Sequence, residues 1–230
     1  FIHSNVEFIG EGSFSECFSL KQITIPSSLK TINDKLFSKC SSLSGILIPP
    51  SVESIGKESF YDCSSLLSIF IPSSIKSIGE YAFRGCSSLY QVDIQSQLTS
   101  IQRFTFNKCS SLIKISIPSS VTIIGGNSFC SCSSLIDVFI PDSVKIIGDN
   151  AFSGCSSLKQ ILIPSSVTLI GKSAFNSCSS ICEIHIPSSV ESIGVSSFYG
   201  CSSLLQITIP KSINSINKLG IPKKTKIIFI

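Results

Sequence analysis

Cysteine and histidine are the residues of this 230-residue chain with the most distinctive chemistry, and their spacing limits what they can do. Nine of the eleven cysteines recur at a fixed interval, so in a chain whose repeated units stack they would occupy equivalent places and their side chains would point in parallel. Parallel side chains are poorly placed for a disulfide even at ~5 Å between Cα atoms. A linear row also cannot surround a zinc ion from four directions. We therefore interpret nine of the eleven cysteines as a row of small buried thiols, with disulfide bridges as the alternative, and expect no metal and no cofactor. The nine follow one another at intervals of 23 residues: Cys17, Cys40, Cys63, Cys86, Cys109, Cys132, Cys155, Cys178 and Cys201.

Cys130 and Cys182 lie outside this row, and His3 and His185 are the only imidazole bases. A structural role and a reactive or metal-binding role both stay open for the two cysteines. No Ser–His–acid or Cys–His arrangement can be assembled from these positions. The acidic residues are scattered rather than paired as glycoside hydrolysis requires. The sequence therefore predicts a protein that is not an enzyme and has no catalytic residue.

Composition and charge exclude several classes of protein. With 43% hydrophobic and 14% charged residues the chain is folded rather than disordered, and no run approaches the ~20 apolar residues of a membrane-spanning helix. Residues 1–210 hold 13 basic and 14 acidic side chains, a net of −1, and the remaining five lysines follow residue 210. A nucleic-acid partner would need a basic stripe across the fold, and because this chain has only a basic tail we expect no nucleic-acid partner. We interpret the basic tail as a solvated terminus, with a binding site as the alternative.

The cysteine interval is part of a repeat that covers most of the chain. Phenylalanines keep the same step from Phe14 to Phe198, and prolines keep it from Pro26 to Pro210 except at Gln95. One unit reads Leu-x-x-Ile-x-Ile-Pro-Ser-Ser-Val-x-x-Ile-Gly-x-x-Ala-Phe-x-x-Cys-Ser-Ser. A fixed period of this length is typical of a solenoid. We number the units 1 to 9 from their leading residues, which are Leu20, Leu43, Leu66, Leu89, Leu112, Leu135, Leu158, Ile181 and Leu204.

The first part of each unit has the pattern of a half-buried strand. Ile115 and Ile117 alternate with Lys114 and Ser116, which is the period of a strand with one face in the core. Pro118 then ends the strand because proline has no amide hydrogen for the ladder. The pattern predicts one strand of a parallel sheet in every unit.

The second part of each unit predicts a turn on the outside of the stack. Gly125 is expected to adopt a positive φ, which other residues reach only at a cost. Phe129, Cys132 and Leu135 follow at spacings of three, which predicts a short helical turn with these side chains on one face. Gln102 occupies the glycine position in unit 4, so we expect either neutral drift or a local change in curvature there.

The complete unit carries a family resemblance. The Ile-Pro…Ile-Gly-x-x-Ala-Phe-x-x-Cys arrangement resembles the leucine-rich repeats of the BspA-like (Treponema pallidum type) family over residues 6–216. The resemblance implies a leucine-rich-repeat fold and a role in adhesion or protein interaction, common in surface proteins of bacteria and protist parasites. It implies no catalytic residue. The matching residues of one unit are Leu158, Ile161, Ile163, Pro164, Val167, Ile170, Gly171, Ala174, Phe175 and Cys178.

The predicted fold class is therefore α/β, a right-handed leucine-rich-repeat solenoid with a concave parallel sheet and short helical turns outside. Residues 1–230 are expected to form a single domain, with about nine repeats over residues 6–216 and a C-terminal cap strand within 217–230. Because the first unit has no comparable cap, we expect that residues before Phe1 were removed or that this end pairs with another chain.

The binding face is predicted from the strand positions that point away from the core. Most of these positions are polar, but two apolar pairs, Leu47 with Phe70 and Phe139 with Leu162, are separated by polar residues. Exposed apolar clusters rimmed by polar groups usually mark interaction sites, although phenylalanine also suits a sheet without any partner. We expect these residues to bind a protein ligand or a second copy of the chain. The candidate site residues are Leu47, Phe70, Tyr90, Phe139, Leu162 and His185.

Function and location follow from the resemblance and this face. The expected function is a surface adhesin or receptor-like scaffold that binds a protein ligand, for example a host or matrix protein. The alternative is a structural array that spaces or self-associates the chain without a dedicated ligand. The family favours the cell surface or secretion, whereas unpaired thiols suit the reducing cytoplasm, which stays the alternative.

Overall fold

The structure is a computed structural model that describes residues 2–230. Successive units stack so that residues 23 positions apart are neighbours, and all strand pairs are parallel with that step between complete units. A stack of about nine turns with parallel sheets results, as the repeat predicts. Strands of the first kind lie in the Leu-x-x-Ile-x-Ile segment: β3 (Ser68–Ile71), β5 (Gln91–Ile94), β7 (Lys114–Ser116), β9 (Asp137–Phe139), β12 (Glu183–His185) and β14 (Gln206–Ile209).

Strands of the second kind are two residues long and end at the isoleucine before the glycine position. They pair in the orders β1-β2-β4 and β13-β11-β10-β8-β6, whereas the first kind forms a four-stranded sheet β3-β5-β7-β9 and a sheet containing β12 and β14. These short strands are β1 (Thr31–Ile32), β2 (Ser54–Ile55), β4 (Ser77–Ile78), β6 (Ser100–Ile101), β8 (Ile123–Ile124), β10 (Ile146–Ile147), β11 (Leu169–Ile170) and β13 (Ser192–Ile193).

A column of phenylalanine rings runs through the core. Nine rings from Phe14 to Phe198 stack with centroids 5.3–6.0 Å apart and interplanar angles of at most 20°. A column of cysteines lies beside it, free and buried from Cys40 to Cys201 as predicted. Cys17 is only partly buried, and within residues 2–230 no Phe–Cys turn packs on its other side. The core is therefore continuous along the stack and belongs to no single unit.

The predicted helical turns are wrong. Cys132 N–H donates to the Phe129 carbonyl at 3.2 Å, which closes a four-residue β-turn, and Ser131 within that turn has a φ of 63°, outside the right-handed helical region. The amides of Phe129 and Ser131 donate across the stack, to the carbonyls of Ala151 at 2.8 Å and Ser153 at 2.7 Å. An α-helix would need these amides for its own chain. The backbone amides on the outside of each unit thus donate hydrogen bonds to the next unit. The spacing of three reflects successive tight turns.

The reason predicted for Gly125 is also wrong, because positive φ occurs elsewhere in the unit. Asn127 and Ser131 have φ of 58° and 63°, and Gly125 is not in the left-handed region. A Cβ at Gly125 would instead lie 2.7 Å from the Ile101 carbonyl oxygen and 2.8 Å from the Arg103 amide nitrogen. Glycine is needed there because the backbones of adjacent units approach closely.

The short-strand ladder is interrupted where this glycine is replaced. The Gly79 amide donates to Ile55 and the Gly125 amide to Ile101, each at 2.8 Å. Within residues 2–230 the Gln102 amide makes no equivalent bond to Ile78, and β4 and β6 belong to different sheets. The side chain of Gln102 prevents the close approach, so units 3 and 4 separate locally on this side.

The C-terminal residues add one more strand to the stack. A single 3₁₀ turn, Ile216–Lys218, leads to the buried Leu219. The last strand, β15 (Lys226–Phe229), then pairs in parallel with β14, with Ile207 opposite Ile227. Among the described residues, no helix has the length and apolar character needed to cross a membrane.

Candidate binding surface

One surface of the stack, which we call the strand face, consists of the exposed side chains at the second, third and fifth positions of the units. The strands alternate as expected, with Ile69 and Ile71 buried and Ser68 and Phe70 exposed in β3. The same pattern of exposed ends around a buried centre recurs in β7, β9 and β12. Side chains at these positions therefore point away from the core into solvent.

Five of the six predicted site residues are large side chains exposed on this face. Leu47 and Phe70 are 74% and 45% exposed, and Phe139 and Leu162 are 62% and 68% exposed. Tyr90 is 45% exposed at the second position of unit 4. Burial of such apolar area releases about 25 cal/mol per Å². Each of these side chains can therefore contribute to association without being needed by the core.

Strand register shows how far apart the predicted site residues lie. Phe70 lies opposite Asp93 in the β3–β5 pair, and Ser116 lies opposite Phe139 in the β7–β9 pair. The two apolar pairs are therefore separated by the two central units. His185 is exposed in β12 opposite Thr208, outside the four-stranded sheet that holds Phe70 and Phe139.

A shallow groove lies at the centre of the strand face. It encloses about 570 Å³ and is lined by the aromatic Tyr90 and Phe139 and by the charged Asp93, Lys114 and Asp137. A lining that is partly apolar and carries both charge signs suits a protein surface better than a small neutral ligand. Leu67, Ile113 and Ile136, exposed by 42–47%, continue the apolar surface along the second positions beside Tyr90.

The thiols are not arranged for chemistry. Eight of the core thiols donate to a phenylalanine carbonyl of the preceding unit, as Cys86 Sγ does to Phe60 at 3.1 Å. Burial raises the pKa of the Cys40 and Cys201 thiols to about 11, so they are protonated at neutral pH. Cys182 is exposed and its sulfur lies 3.5 Å from the Ser180 carbonyl oxygen. The thiolate is the reactive form of cysteine, and the core thiols do not form it.

Comparison with known sequences identifies the repeat. The profile of the BspA type leucine-rich-repeat region matches residues 1–113 and 99–223, in six copies. This chain belongs to the BspA-type leucine-rich-repeat family. The resemblance inferred from the Ile-Pro and Ala-Phe-x-x-Cys residues is thereby confirmed. No curated protein sequence matches the chain.

Solved structures contain the same fold. A leucine-rich-repeat protein of Treponema pallidum is 29% identical, with a TM-score of 0.64 over 89% of this chain and 86% of that one. A leucine-rich-repeat protein of Eubacterium ventriosum is 30% identical, with a TM-score of 0.62 over 69% of this chain. The chain spans only 43% of that longer protein. A leucine-rich cell surface protein of Faecalibacterium prausnitzii, 23% identical with a TM-score of 0.58 over 97% of this chain and 89% of that one, shares the fold.

This BspA-type chain also carries an aromatic and cationic cluster on its outer turns that the sequence pattern did not reveal. Tyr81 and Phe104 stack with centroids 4.5 Å apart, and the Arg84 guanidinium lies 5.2 Å from the Tyr61 ring. Arg84 also donates to the Tyr61 hydroxyl at 2.8 Å and to Asn107 Oδ1 at 3.1 Å. Its polar groups are thus paired within the cluster. The Tyr81–Phe104 stack joins units 3 and 4 at the boundary where Gln102 interrupts the ladder.

Proposed function

We propose that this chain is a non-enzymatic protein-binding module of the cell surface or of a secreted protein, and that it binds a protein through the strand face. The observation that carries the proposal is the exposure of Leu47, Phe70, Phe139 and Leu162, which the core does not use. Large exposed apolar side chains on a rigid sheet cost solubility and mark interaction sites. Polar residues such as Asp93 lie between the two apolar pairs, and a mixture of apolar and polar surface is typical of a protein interface.

The structural relatives support the location in this proposal. One of them is described as a cell surface protein of Faecalibacterium prausnitzii. Another, 21% identical with a TM-score of 0.52 over 88% of this chain and 66% of that one, is the pneumococcal vaccine antigen PcpA. Both are described in terms of surface or antigen roles. A location at the surface brings the strand face into contact with extracellular proteins, including host or matrix proteins.

The proposal is tested by substitution of the two aromatic anchors. Phe70→Ala and Phe139→Ala should each weaken binding by ~1–3 kcal/mol, because buried aromatic anchors dominate interface energies. The melting temperature should stay near that of the wild type because both side chains are exposed. Binding is measured by surface plasmon resonance against purified extracellular-matrix proteins, and self-association by the molar mass in solution.

Tyr199→Ala is the matched control. Tyr199 is 63% exposed but lies on an outer turn, away from the strand face. It should leave every association unchanged. If the two face variants melt like core substitutions and leave binding and self-association intact, the strand face is not the binding surface. A structural array without a dedicated ligand would then be the better description.

A further inference from the structure

The fifth positions of the strand face read the same in both directions. Units 2 to 7 present leucine, phenylalanine, two polar residues, phenylalanine and leucine, and the centre of this order falls between units 4 and 5. The six residues are Leu47, Phe70, Asp93, Ser116, Phe139 and Leu162.

The second positions and the backbone have the same centre. Across units 2 to 7 the second positions are polar, apolar in four consecutive units, and polar again. The four-stranded sheet β3-β5-β7-β9 is also centred between units 4 and 5, and the matching segments of units 2 and 7 lie outside it. The second-position residues are Ser44, Leu67, Tyr90, Ile113, Ile136 and Lys159.

A surface with this order is complementary to itself under a two-fold rotation. An axis parallel to the strands, lying between two apposed faces at the boundary of units 4 and 5, places each unit n of one copy on unit 9 − n of the other. Position within the unit is preserved, as in an isologous dimer interface. All eight exposed apolar side chains then meet apolar partners. The contacts are Leu47 on Leu162, Phe70 on Phe139, Leu67 on Ile136, and Tyr90 on Ile113.

The charges obey the same rotation. Lys114 would meet Gln91, Asp93 would meet Ser116, and Asp137 would meet Ser68 of the other copy, so no charge faces a like charge. Gln91 lies two residues before Asp93 on the same strand. The ammonium group of Lys114 therefore comes near the carboxylate of Asp93 in the partner copy, and complementary charges of this kind fix the register of an interface.

We propose that the strand face binds a second copy of this chain in antiparallel orientation, across a two-fold axis between units 4 and 5. The inference rests on the proposed function and names the partner of the same surface. Six units extend ~29 Å along the sheet, and the three positions extend ~13 Å along the strands. This area is below the ~800 Å² per partner of a standard interface. The dimer is accordingly weak and reversible.

The test uses two variants that should fail alone and succeed together. Phe70→Lys places an unpaired charge against Phe139 of the other copy, and Phe139→Asp places one against Phe70. Each variant alone should associate at least tenfold more weakly than the wild type in sedimentation equilibrium. In an equimolar mixture Lys at position 70 meets Asp at position 139, while the unchanged Phe139 and Phe70 meet each other. The mixture should form a 1:1 heterodimer.

Two controls accompany the mixture. Tyr199→Lys, on an outer turn, should dimerise as the wild type does. Leu47→Lys with Leu162→Asp repeats the design at the two ends of the pattern, in case either phenylalanine variant does not fold by circular dichroism. The wild type is measured up to roughly 1 mM because a small interface binds weakly.

The outcomes separate this inference from the proposed function. A wild type that is monomeric at every concentration overturns the second copy as partner, yet the proposed function survives if Phe70→Ala still weakens binding to a matrix protein. A dimer whose variants fail alone and also fail in the mixture overturns the two-fold register. A dimer that neither variant weakens overturns the strand face as the dimer interface, and the proposed function then stands or falls with the binding of Phe70→Ala and Phe139→Ala to matrix proteins.

Discussion

At the scale of single residues, the cysteine column fills a place that needs a small apolar side chain with one donor. Each thiol from Cys40 to Cys201 donates to the carbonyl of the phenylalanine 26 residues earlier, as Cys109 does to Phe83 at 3.2 Å. That carbonyl is buried and gains a second hydrogen bond in this way. Burial is also the largest cause of the raised pKa of these thiols. The repeat of cysteine is thus explained by packing and hydrogen bonding, without a disulfide.

Thiol reactivity tests this account. Native protein should react quickly with a thiol reagent at no more than three sites, Cys17, Cys130 and Cys182, because the fully buried thiols are protonated and inaccessible. Denatured protein should titrate all eleven cysteines without any reductant. Cys182→Ser should remove one fast site and leave the rest unchanged. Fewer free thiols after denaturation would mean that bridges are present and that the column is not reduced.

Two buried serines should be replaceable with a gain in stability. Ser59 and Ser128 stand where Ala82 and Ala151 stand in other units, and their hydroxyl groups are buried without a hydrogen-bond partner. Substitution of either serine by alanine should raise the free energy of unfolding by ~1 kcal/mol, since an unsatisfied buried hydroxyl costs about that much. Ser197→Ala is the control. The Ser197 hydroxyl donates to the Gly171 carbonyl at 3.0 Å, so its removal should lower the free energy of unfolding. Urea denaturation measures all three, and a loss in the first two would indicate an unseen partner.

At the scale of elements, the strands could be predicted from the sequence and the outer turns could not. The alternation of Ile115 and Ile117 with polar residues fixes which face is buried. The spacing of Phe129 and Cys132 fits a helix and a run of tight turns equally well. The choice between them depends on hydrogen bonds to the next unit, which a single unit does not encode. The same holds for Gly125. Glycine is required there by the close approach of the preceding unit's backbone and not by the φ of Gly125 itself.

The candidate site shows the same division. Exposure of Phe70 and Phe139 follows from strand alternation and could be predicted. The segments of units 2 and 7 that carry Leu47 and Leu162 do not form strands, and nothing in the repeat distinguishes these two units from the others. The stack of Tyr81 on Phe104 could not be predicted from the repeat, because both residues occupy a variable position two residues before the core phenylalanine.

Removal of the Gln102 side chain should close the interrupted ladder. Gln102→Gly should let units 3 and 4 approach each other as closely as units that have glycine at this position. The amide of residue 102 can then donate to the Ile78 carbonyl, and the Thr99 amide to the Lys76 carbonyl, as the equivalent amides do in unit 5. Two hydrogen bonds of about 1 kcal/mol each exceed the ~0.5–1 kcal/mol entropic cost of glycine. The free energy of unfolding should therefore rise by ~1 kcal/mol in urea denaturation.

Gln102→Ala separates this cause from loss of the polar side chain, whose amide donates to Ser100 Oγ at 2.8 Å. Alanine keeps the Cβ that blocks the approach, so its hydrogen exchange at residues 99–102 should stay fast. Glycine should slow that exchange. Equal stability of the two variants would mean that another contact separates the units.

At the scale of the whole molecule, stability depends on neighbours because no unit buries its apolar edge alone. The phenylalanine and cysteine columns are continuous from one unit to the next, so a defect in one unit weakens its interfaces with both neighbouring units. The last Phe–Cys turn, in unit 8, and strand β14, in unit 9, are covered without a further Phe–Cys turn. Leu219 is fully buried and accepts a hydrogen bond from the Phe198 amide of unit 8 at 2.9 Å, and β15 pairs with β14 of unit 9.

The last strand should act as a cap, and its amides offer a test that keeps the chain intact. The Lys226 amide donates to the Leu205 carbonyl at 2.8 Å, so Lys226→Pro removes a bond that Lys226→Ala retains. The proline variant should melt several degrees below the alanine variant and aggregate more readily, because an uncovered edge strand pairs with other chains. Deletion of residues 219–230 should have a larger effect in the same direction, since it also removes the buried Leu219. If the proline variant and the deletion both keep the wild-type melting temperature and stay monodisperse, unit 9 is stable with an open edge and β15 is not its cap.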